Sequence, residues 1–190
     1  MNLRFLKDGD WKVKDGVYIH STPPNSDLYD TMWKPAGVGS SFDESGVNDT
    51  YWSEKVSRSL ELIAMINPSN IHRPPRSDEE LQKIKHEKKI EGGRVLDCCC
   101  GGGEESIAAL EIGADEVVSC DGSFLTLKEM ESKLKNSHSL SHIMHKRITR
   151  VQADANNLSD VFVDGYFDMS FMRMAIHHLK NPFKTMHDLA

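Results

Sequence analysis

The stretch Arg94-Val-Leu-Asp-Cys-Cys-Cys-Gly-Gly-Gly-Glu-Glu-Ser106 decides the fold of this chain. Val95 and Leu96 predict the end of a buried strand, and a helical pattern begins at Glu104 after the three glycines. Glycine has no Cβ, so these glycines allow a sharp turn and the close approach of a ligand to the backbone. A strand, a glycine turn and a helix N-terminus together form a nucleotide-type pocket, and we expect one here.

A second short apolar strand, Glu116 to Cys120, follows this helix and leads directly into Asp121. A carboxylate in that place can accept hydrogen bonds from both hydroxyls of a ribose. Asp97 ends the first strand in a similar way. An acidic residue at each of two strand ends makes the nucleotide interpretation stronger than the glycine spacing alone.

The helix start argues against a dinucleotide. Ser106 stands where the dinucleotide fingerprint has its third glycine. Glu104 and Glu105 place negative charge where a pyrophosphate would bind. A cationic cofactor without phosphate tolerates them better, which leaves an NAD(P)-dependent oxidoreductase as a less favoured alternative.

At this point Val95 to Gly103 resembles the first motif, roughly Val-Leu-Asp-x-Gly-x-Gly-x-Gly, of the class I S-adenosylmethionine-dependent methyltransferases. The resemblance is to the broad small-molecule group, methyltransferase type 11-like. Cys99 departs from the motif, because the family usually has its first glycine there. Ala153-Asp154-Ala155, followed by Leu158, resembles the family's Gly-Asp-Ala-x-x-Leu-Pro segment. Gly165 to Leu179 resembles its Phe-Asp-x-Val strand and Leu-His-His segment.

The resemblance implies S-adenosyl-L-methionine as the cofactor and a set of residues that bind it. Asp121 would hold the ribose, and Asp154 with Ala155 the adenine. The implied cofactor-binding residues are Asp97, Cys99, Gly101, Gly103, Asp121, Gly122, Asp154, Ala155 and Arg173. No metal is implied.

His177 and His178 are the candidate catalytic residues, since one imidazole at the end of the fourth strand can take a proton from the methyl acceptor. A structural role for the pair is the alternative. Methyl transfer itself mainly requires the acceptor to be aligned with the sulfonium methyl group. The expected function is methyl transfer to an O, N or C nucleophile of a small molecule, and the alternative is a non-catalytic methyltransferase-like subunit or fragment.

The resemblance implies an α/β, Rossmann-like class I methyltransferase fold with strand order 3-2-1-4-5-7-6. The sequence accounts for strands one to four, so the fold is apparently truncated after the fourth strand. That strand, around Phe167 to Phe171, would be an open hydrophobic edge. Three explanations compete: a fragment, which we favour, a partner chain that completes the sheet, or N-terminal strands that cover the gap.

We divide the chain into three parts. Residues 1–49 form a hairpin-like segment and a loop, 50–93 a helical N-terminal extension with helices at 50–66 and 77–91, and 94–190 the incomplete S-adenosylmethionine-binding domain. The hairpin pattern lies in residues 2–20, where it is either a lid or a small meander that covers a hydrophobic edge.

Bulk properties narrow the function classes. The chain has 190 residues, 38% hydrophobic and 27% charged, which is ordinary for a water-soluble domain. The net charge of −6 argues against broad electrostatic binding to nucleic acid. No segment is apolar enough to span a membrane, and the charged start does not fit a signal peptide, so we expect a cytoplasmic protein.

The four cysteines are Cys98, Cys99, Cys100 and Cys120, and they lack zinc-site spacing. We interpret them as free thiols that pack in the core, with redox sensing or metal capture as alternatives. His138, His142 and His145 allow a further metal interpretation, which the lack of nearby carboxylates and cysteines disfavours.

Overall fold

The computed structural model describes residues 3–20, 93–136 and 146–190, together with the single positions 77, 79 and 83. Apart from those three positions, the predicted helices at 50–66 and 77–91 lie outside the described residues. The histidines at 138, 142 and 145 lie outside them as well.

The described part of the chain forms a six-stranded sheet with order β1-β2-β5-β4-β3-β6. The strands are β1 Trp11–Lys14, β2 Val17–His20, β3 Arg94–Cys98, β4 Glu116–Asp121, β5 Ile148–Gln152 and β6 Met169–Met172. Strands β2, β5, β4, β3 and β6 run parallel, and β1 is antiparallel to β2. The run β5-β4-β3-β6 corresponds to 3-2-1-4, so the predicted order of the four central strands is confirmed.

The helices follow the strands in alternation. They are α1 Glu104–Glu111, α2 Phe124–Asn136, α3 Leu158–Val161 and α4 Pro182–Leu189, and short 3-10 turns occupy Ala155–Asn157 and Ile176–His178. Ala108 and Ala109 of α1 are fully buried. Small side chains let this helix lie close to the sheet, as its sequence predicts.

Helix α2 is held by an N-terminal cap and by an apolar stripe. Ser123 Oγ accepts a hydrogen bond from the Thr126 N–H over 3.1 Å. Leu127, Met130 and Leu134 are all buried and pack in one cluster with α1. Burial of each such side chain contributes about 1.5–3 kcal/mol, so the stripe fixes α2 on the sheet.

The N-terminal segment is a hairpin whose turn is Asp15-Gly16. Both residues have positive φ, 49° and 71°, as a type I′ turn requires. Val17 is fully buried, and β2 pairs in parallel with β5. The hairpin therefore extends the sheet on the side opposite β6, so the explanation in which N-terminal strands cover the gap beside the fourth strand is wrong.

Strand β6 forms the other edge of the described sheet. It pairs with β3 along one side, and the described residues supply no strand for its other side. Its four residues are half-buried. None of the described helices has the length and apolar composition needed to cross a membrane.

Candidate cofactor site

The turn between β3 and α1 carries three residues with left-handed backbone. Cys99, Gly101 and Gly103 have φ of 60°, 49° and 85°. The left-handed region costs a residue with a Cβ about 1–2 kcal/mol, and glycine adopts it readily. Cys99 has the left-handed backbone that favours glycine, which is the residue usual at this position in the motif that the segment resembles.

The two left-handed glycines have different surroundings. A Cβ on Gly103 would lie 2.5 Å from Met130 Cε, because this glycine packs directly on α2. A Cβ on Gly101 would meet no atom within 4 Å. Gly103 therefore lets the turn sit on the core, whereas Gly101 borders open space that a ligand can fill.

Asp121 joins this turn to the end of β4. Its Oδ2 accepts a hydrogen bond from the Gly101 N–H over 3.0 Å, and its Oδ1 accepts one from the Ser123 N–H over 2.8 Å. An ionised carboxylate is an acceptor only, so its chemistry suits donors such as ribose hydroxyls. The carboxylate predicted to hold the ribose is oriented by the backbone of the turn itself.

Asp97 lies beneath the turn rather than at its surface. The residue is 1% exposed, and its Oδ2 accepts a hydrogen bond from Ser106 Oγ over 2.6 Å. Ser106 Oγ is also 2.6 Å from Ser119 Oγ on β4. Burial, together with the negative charge of Glu105, raises the pKa of Asp97 well above its usual value.

Glu105 forms an ion pair with Arg173. The Glu105 side chain is 9% exposed and that of Arg173 is 41% exposed. The pair joins the first turn of α1 to the residue that follows β6. The glutamate also lies at a helix N-terminus, where the macrodipole favours negative charge.

Asp154 and Ala155 lie just beyond the end of β5. Asp154 Oδ1 accepts hydrogen bonds from the backbone N–H and from Nδ2 of Asn156, over 2.9 and 2.7 Å. The Ala155 carbonyl accepts one from Thr185 Oγ1 over 2.8 Å, which ties the segment to α4.

The parallel register brings the ends of three strands to one edge of the sheet, and with them the carboxylates of Asp97, Asp121 and Asp154. Cys98 pairs with Cys120, and Asp121 with Gln152, so β3, β4 and β5 end side by side. Gln152 Nε2 donates to the Gly122 carbonyl over 3.0 Å and fixes the loop after Asp121. Ligands of open parallel sheets bind at this edge, near the point where the strand order reverses, which here lies between β3 and β6.

His177 and His178 lie in the 3-10 turn that follows β6. Both are exposed, and their ring centroids are 3.9 Å apart. The structure therefore places them at the same edge of the sheet, facing solvent, and their catalytic role stays a prediction. No three potential metal-binding side chains converge within the described ranges.

Sequence reasoning missed the polar contacts that support the site. Ser106 counted only as evidence against a dinucleotide, yet it holds Asp97 to Ser119. Gln152 gave no signal, because its partner, the Gly122 carbonyl, is distant in sequence. Glu105 stood out only as a charge at a helix start, and its pairing with Arg173 depends on β3 lying beside β6.

A family model for the methyltransferase domain matches residues 95–189, half of the chain. The chain belongs to the methyltransferase domain family. The match covers the glycine turn and all the predicted cofactor residues. No curated protein matches the chain significantly.

Several solved structures resemble this methyltransferase domain. A proposed methyltransferase of Bacillus halodurans is 25% identical, with a TM-score of 0.46, and the match covers 58% of this chain and 43% of that one. A proposed S-adenosyl-L-methionine-dependent methyltransferase of Methanococcus maripaludis is 16% identical, with a TM-score of 0.48 and coverage of 74% and 53%. A chain in the complex of the Haloferax volcanii Trm112 methyltransferase activator with a proposed methyltransferase is 15% identical, with a TM-score of 0.48. That match covers 74% of this chain and 49% of that one. The chain spans about half the length of the solved structures it matches.

S-adenosylmethionine is the cofactor that this family implies, and the residues at the sheet edge fit it. Gly101 borders open space, and the Asp121 carboxylate is hydrogen-bonded to its backbone N–H. Acidic side chains surround the turn, which favours a cationic sulfonium over a phosphate. The methyltransferase domain thus combines open space, an oriented carboxylate and negative charge around the glycine turn.

Proposed function

We propose that this domain binds S-adenosylmethionine at the carboxyl ends of β3, β4 and β5 and transfers its methyl group to an O, N or C nucleophile of a small molecule. The observation that carries the proposal is the hydrogen bond between Gly101 and Asp121, which joins the glycine turn to an oriented carboxylate. The whole protein's activity, acceptor and partners are part of this proposal.

The cofactor supplies a methyl group already activated on a positively charged sulfur. In our proposal Asp121 accepts the ribose hydroxyls, and Asp154 with Ala155 contacts the adenine. Gly101 leaves room for the ligand, since its absent Cβ would project into open space. Arg173 balances the charge of Glu105, so the helix start does not carry an uncompensated carboxylate.

The residues near β6 are proposed to face the acceptor. His177 and His178 follow this strand and are exposed, so either ring can reach a proton on a small molecule at the edge. Their contribution adds to acceptor alignment, which provides most of the rate gain in a direct transfer.

We retain the proposed division into residues 1–49, 50–93 and 94–190, with the cofactor site in the last part. The hairpin of the first part shares the sheet with that last part. We further propose that a partner chain completes the sheet along the outer side of β6, where the described residues place no strand.

Calorimetric titration with S-adenosylhomocysteine tests the proposal. Asp121→Asn should weaken binding about tenfold or more, because charged hydrogen bonds to a ligand contribute about 1.5–3 kcal/mol. Asp160→Asn removes the same charge at an exposed position of α3 and should bind like the parent chain. Absence of binding by a folded parent chain, or equal binding by both variants, would contradict the proposal.

A non-catalytic methyltransferase-like subunit is the second candidate. The left-handed Cys99 favours it, because a side chain replaces glycine within the turn that approaches the cofactor. Such a subunit would fail to bind S-adenosylhomocysteine while remaining folded, so the same titration separates the two candidates.

A further inference from the structure

Three of the four thiols lie on one face of the sheet. Cys98 and Cys120 belong to the buried cluster that surrounds Phe5, and Cys99 packs against the same cluster. Cys100 belongs to a different cluster, with Met130 and Ile107. The proposed methyl transfer uses none of these thiols chemically.

The thiols differ in their access to solvent. Cys98, Cys100 and Cys120 are at most 2% exposed, whereas Cys99 is only half-buried. Cys99 also lies in the same turn as Gly101, where an added Cβ would meet open space. A small reagent in solution therefore reaches Cys99 first.

Geometry selects the partner thiol for Cys99. Consecutive Cα atoms are about 3.8 Å apart across a trans peptide, closer than the roughly 4.4–6.8 Å of ordinary disulfides. This disfavours Cys98 and Cys100 as partners. Neighbouring strands are about 4.8 Å apart and rise about 3.3 Å per residue, so a Cα one residue beyond a register partner lies about 6 Å away, within the disulfide range.

Cys120 lies across the strand pair from Cys98 and Cys100, the two chain neighbours of Cys99. Its Cα is the register partner of Cys98, and its carbonyl accepts the Cys100 N–H over 3.0 Å, so both neighbours of Cys99 are aligned with it. Burial and the adjacent Cys99 raise the pKa of the Cys120 thiol. A hydrogen bond with Cys99, and burial, raise the pKa of the Cys98 thiol.

We propose that Cys99 is a peroxide-oxidised modification site whose sulfenic acid is resolved by Cys120 to form a disulfide between β3 and β4. Peroxide transfers one oxygen atom to the Cys99 sulfur, and one water leaves. Cys120 sulfur then attacks the Cys99 sulfur, the S–O bond breaks, and a second water carries away the hydroxyl and the Cys120 proton. Two thiols are oxidised and one peroxide is reduced.

The disulfide would close a loop that contains the whole glycine turn and α1. It would link the left-handed Cys99 to Cys120, which directly precedes Asp121. The link would therefore lie close to the hydrogen bond between Gly101 and Asp121. The thiol chemistry stands independently of cofactor binding.

Peptide mapping of the purified full chain after treatment with equimolar hydrogen peroxide tests the inference. All four cysteines fall in one tryptic peptide, so cleavage after glutamate is needed, at Glu104, Glu105, Glu111 or Glu116. We expect a peptide that contains Cys98 to Cys100 linked to one that contains Cys120, and separation of the two by a reductant. Unmodified thiols under these conditions would overturn the proposal.

Variants identify the two sulfurs. Cys99→Ser should abolish the cross-link, and Cys120→Ala should leave a sulfenic acid on Cys99 that a 1,3-dione reagent traps. Cys98→Ala is the matched control for Cys120→Ala, since both remove a fully buried thiol from the same cluster, and it should retain the cross-link. A cross-link that persists in Cys99→Ser, or that disappears in a folded Cys98→Ala variant, would overturn the assignment.

Discussion

The backbone N–H of Gly101 donates a hydrogen bond to Oδ2 of Asp121 over 3.0 Å. The glycine turn after β3 and the carboxylate at the end of β4 are therefore a single unit, although 20 positions separate them in sequence. The unit is further held by Ser123, whose N–H donates to the other carboxylate oxygen. Displacement of the turn would thus also displace the proposed ribose acceptor.

The two left-handed glycines should respond differently to alanine. Gly103→Ala drives a Cβ into Met130 in addition to imposing backbone strain, so it should lower the free energy of unfolding by about 2–4 kcal/mol. Gly101→Ala imposes strain alone and should cost about 1 kcal/mol. Urea denaturation measures both, and equal losses would contradict the difference in packing.

At position 99, glycine should be more stable than alanine. Both substitutions remove the thiol, but alanine retains the strain of φ 60°. The free energy of unfolding of Cys99→Gly should therefore exceed that of Cys99→Ala by about 1 kcal/mol. Ala108→Gly, within α1, supplies the control, because there glycine should be the less stable residue. An equal or higher stability of Cys99→Ala would argue against a left-handed backbone at this position.

Removal of Arg173 should destabilise the chain through Glu105. Arg173→Met leaves the buried carboxylate without its ion pair and should cost about 1–2 kcal/mol, a value reduced by the exposure of the arginine. Adding Glu105→Gln should recover most of this loss, because position 105 then carries no charge that needs the arginine. A double-mutant cycle measures the coupling, and additive effects would contradict it.

The pH dependence of stability should report Asp97. Burial raises the pKa of this carboxyl in the folded chain, and the negative charges of Glu105 and Asp121 raise it further. In the unfolded chain its pKa is about 4. The folded state therefore binds the proton more tightly, and the Asp97 contribution becomes more unfavourable as pH rises from the unfolded pKa through the raised one.

Asp97→Asn cannot ionise, so its stability relative to the parent chain should increase over this pH range. An Asn oxygen can still accept the Ser106 hydrogen bond, which preserves the packing. Urea denaturation at a series of pH values measures the difference, with Asp160→Asn as an exposed control that should show little change. A flat difference for Asp97→Asn would show that its carboxyl titrates normally.

Local sequence signals predicted most elements of the domain. Asn181 and Pro182 form a local helix-start pattern at α4, where Asn181 Oδ1 accepts the Lys184 N–H over 3.1 Å. The fourth strand was predicted around Phe167 to Phe171 and lies at Met169–Met172. Such patterns depend on side chains near one another in sequence, so a single chain reveals them.

Long-range pairing could not be predicted in the same way. Nothing local in residues 3–20 indicates that β2 joins β5 rather than β6, because that choice depends on which edge is free after the central strands have paired. The left-handed backbone at Cys99 was equally hidden, since a cysteine normally disfavours it. The missing glycine was visible only as a departure from a family motif.

The attachment of the N-terminal hairpin has a consequence for the order of folding. Arg150 Nη2 donates to the Asp15 carbonyl across 135 positions, and β2 has no parallel neighbour until β5 is in place. During synthesis the hairpin emerges before β5, and closure of so long a loop is entropically costly. The hairpin therefore docks on β5 as a late step, after the strands that separate the two in sequence have been made.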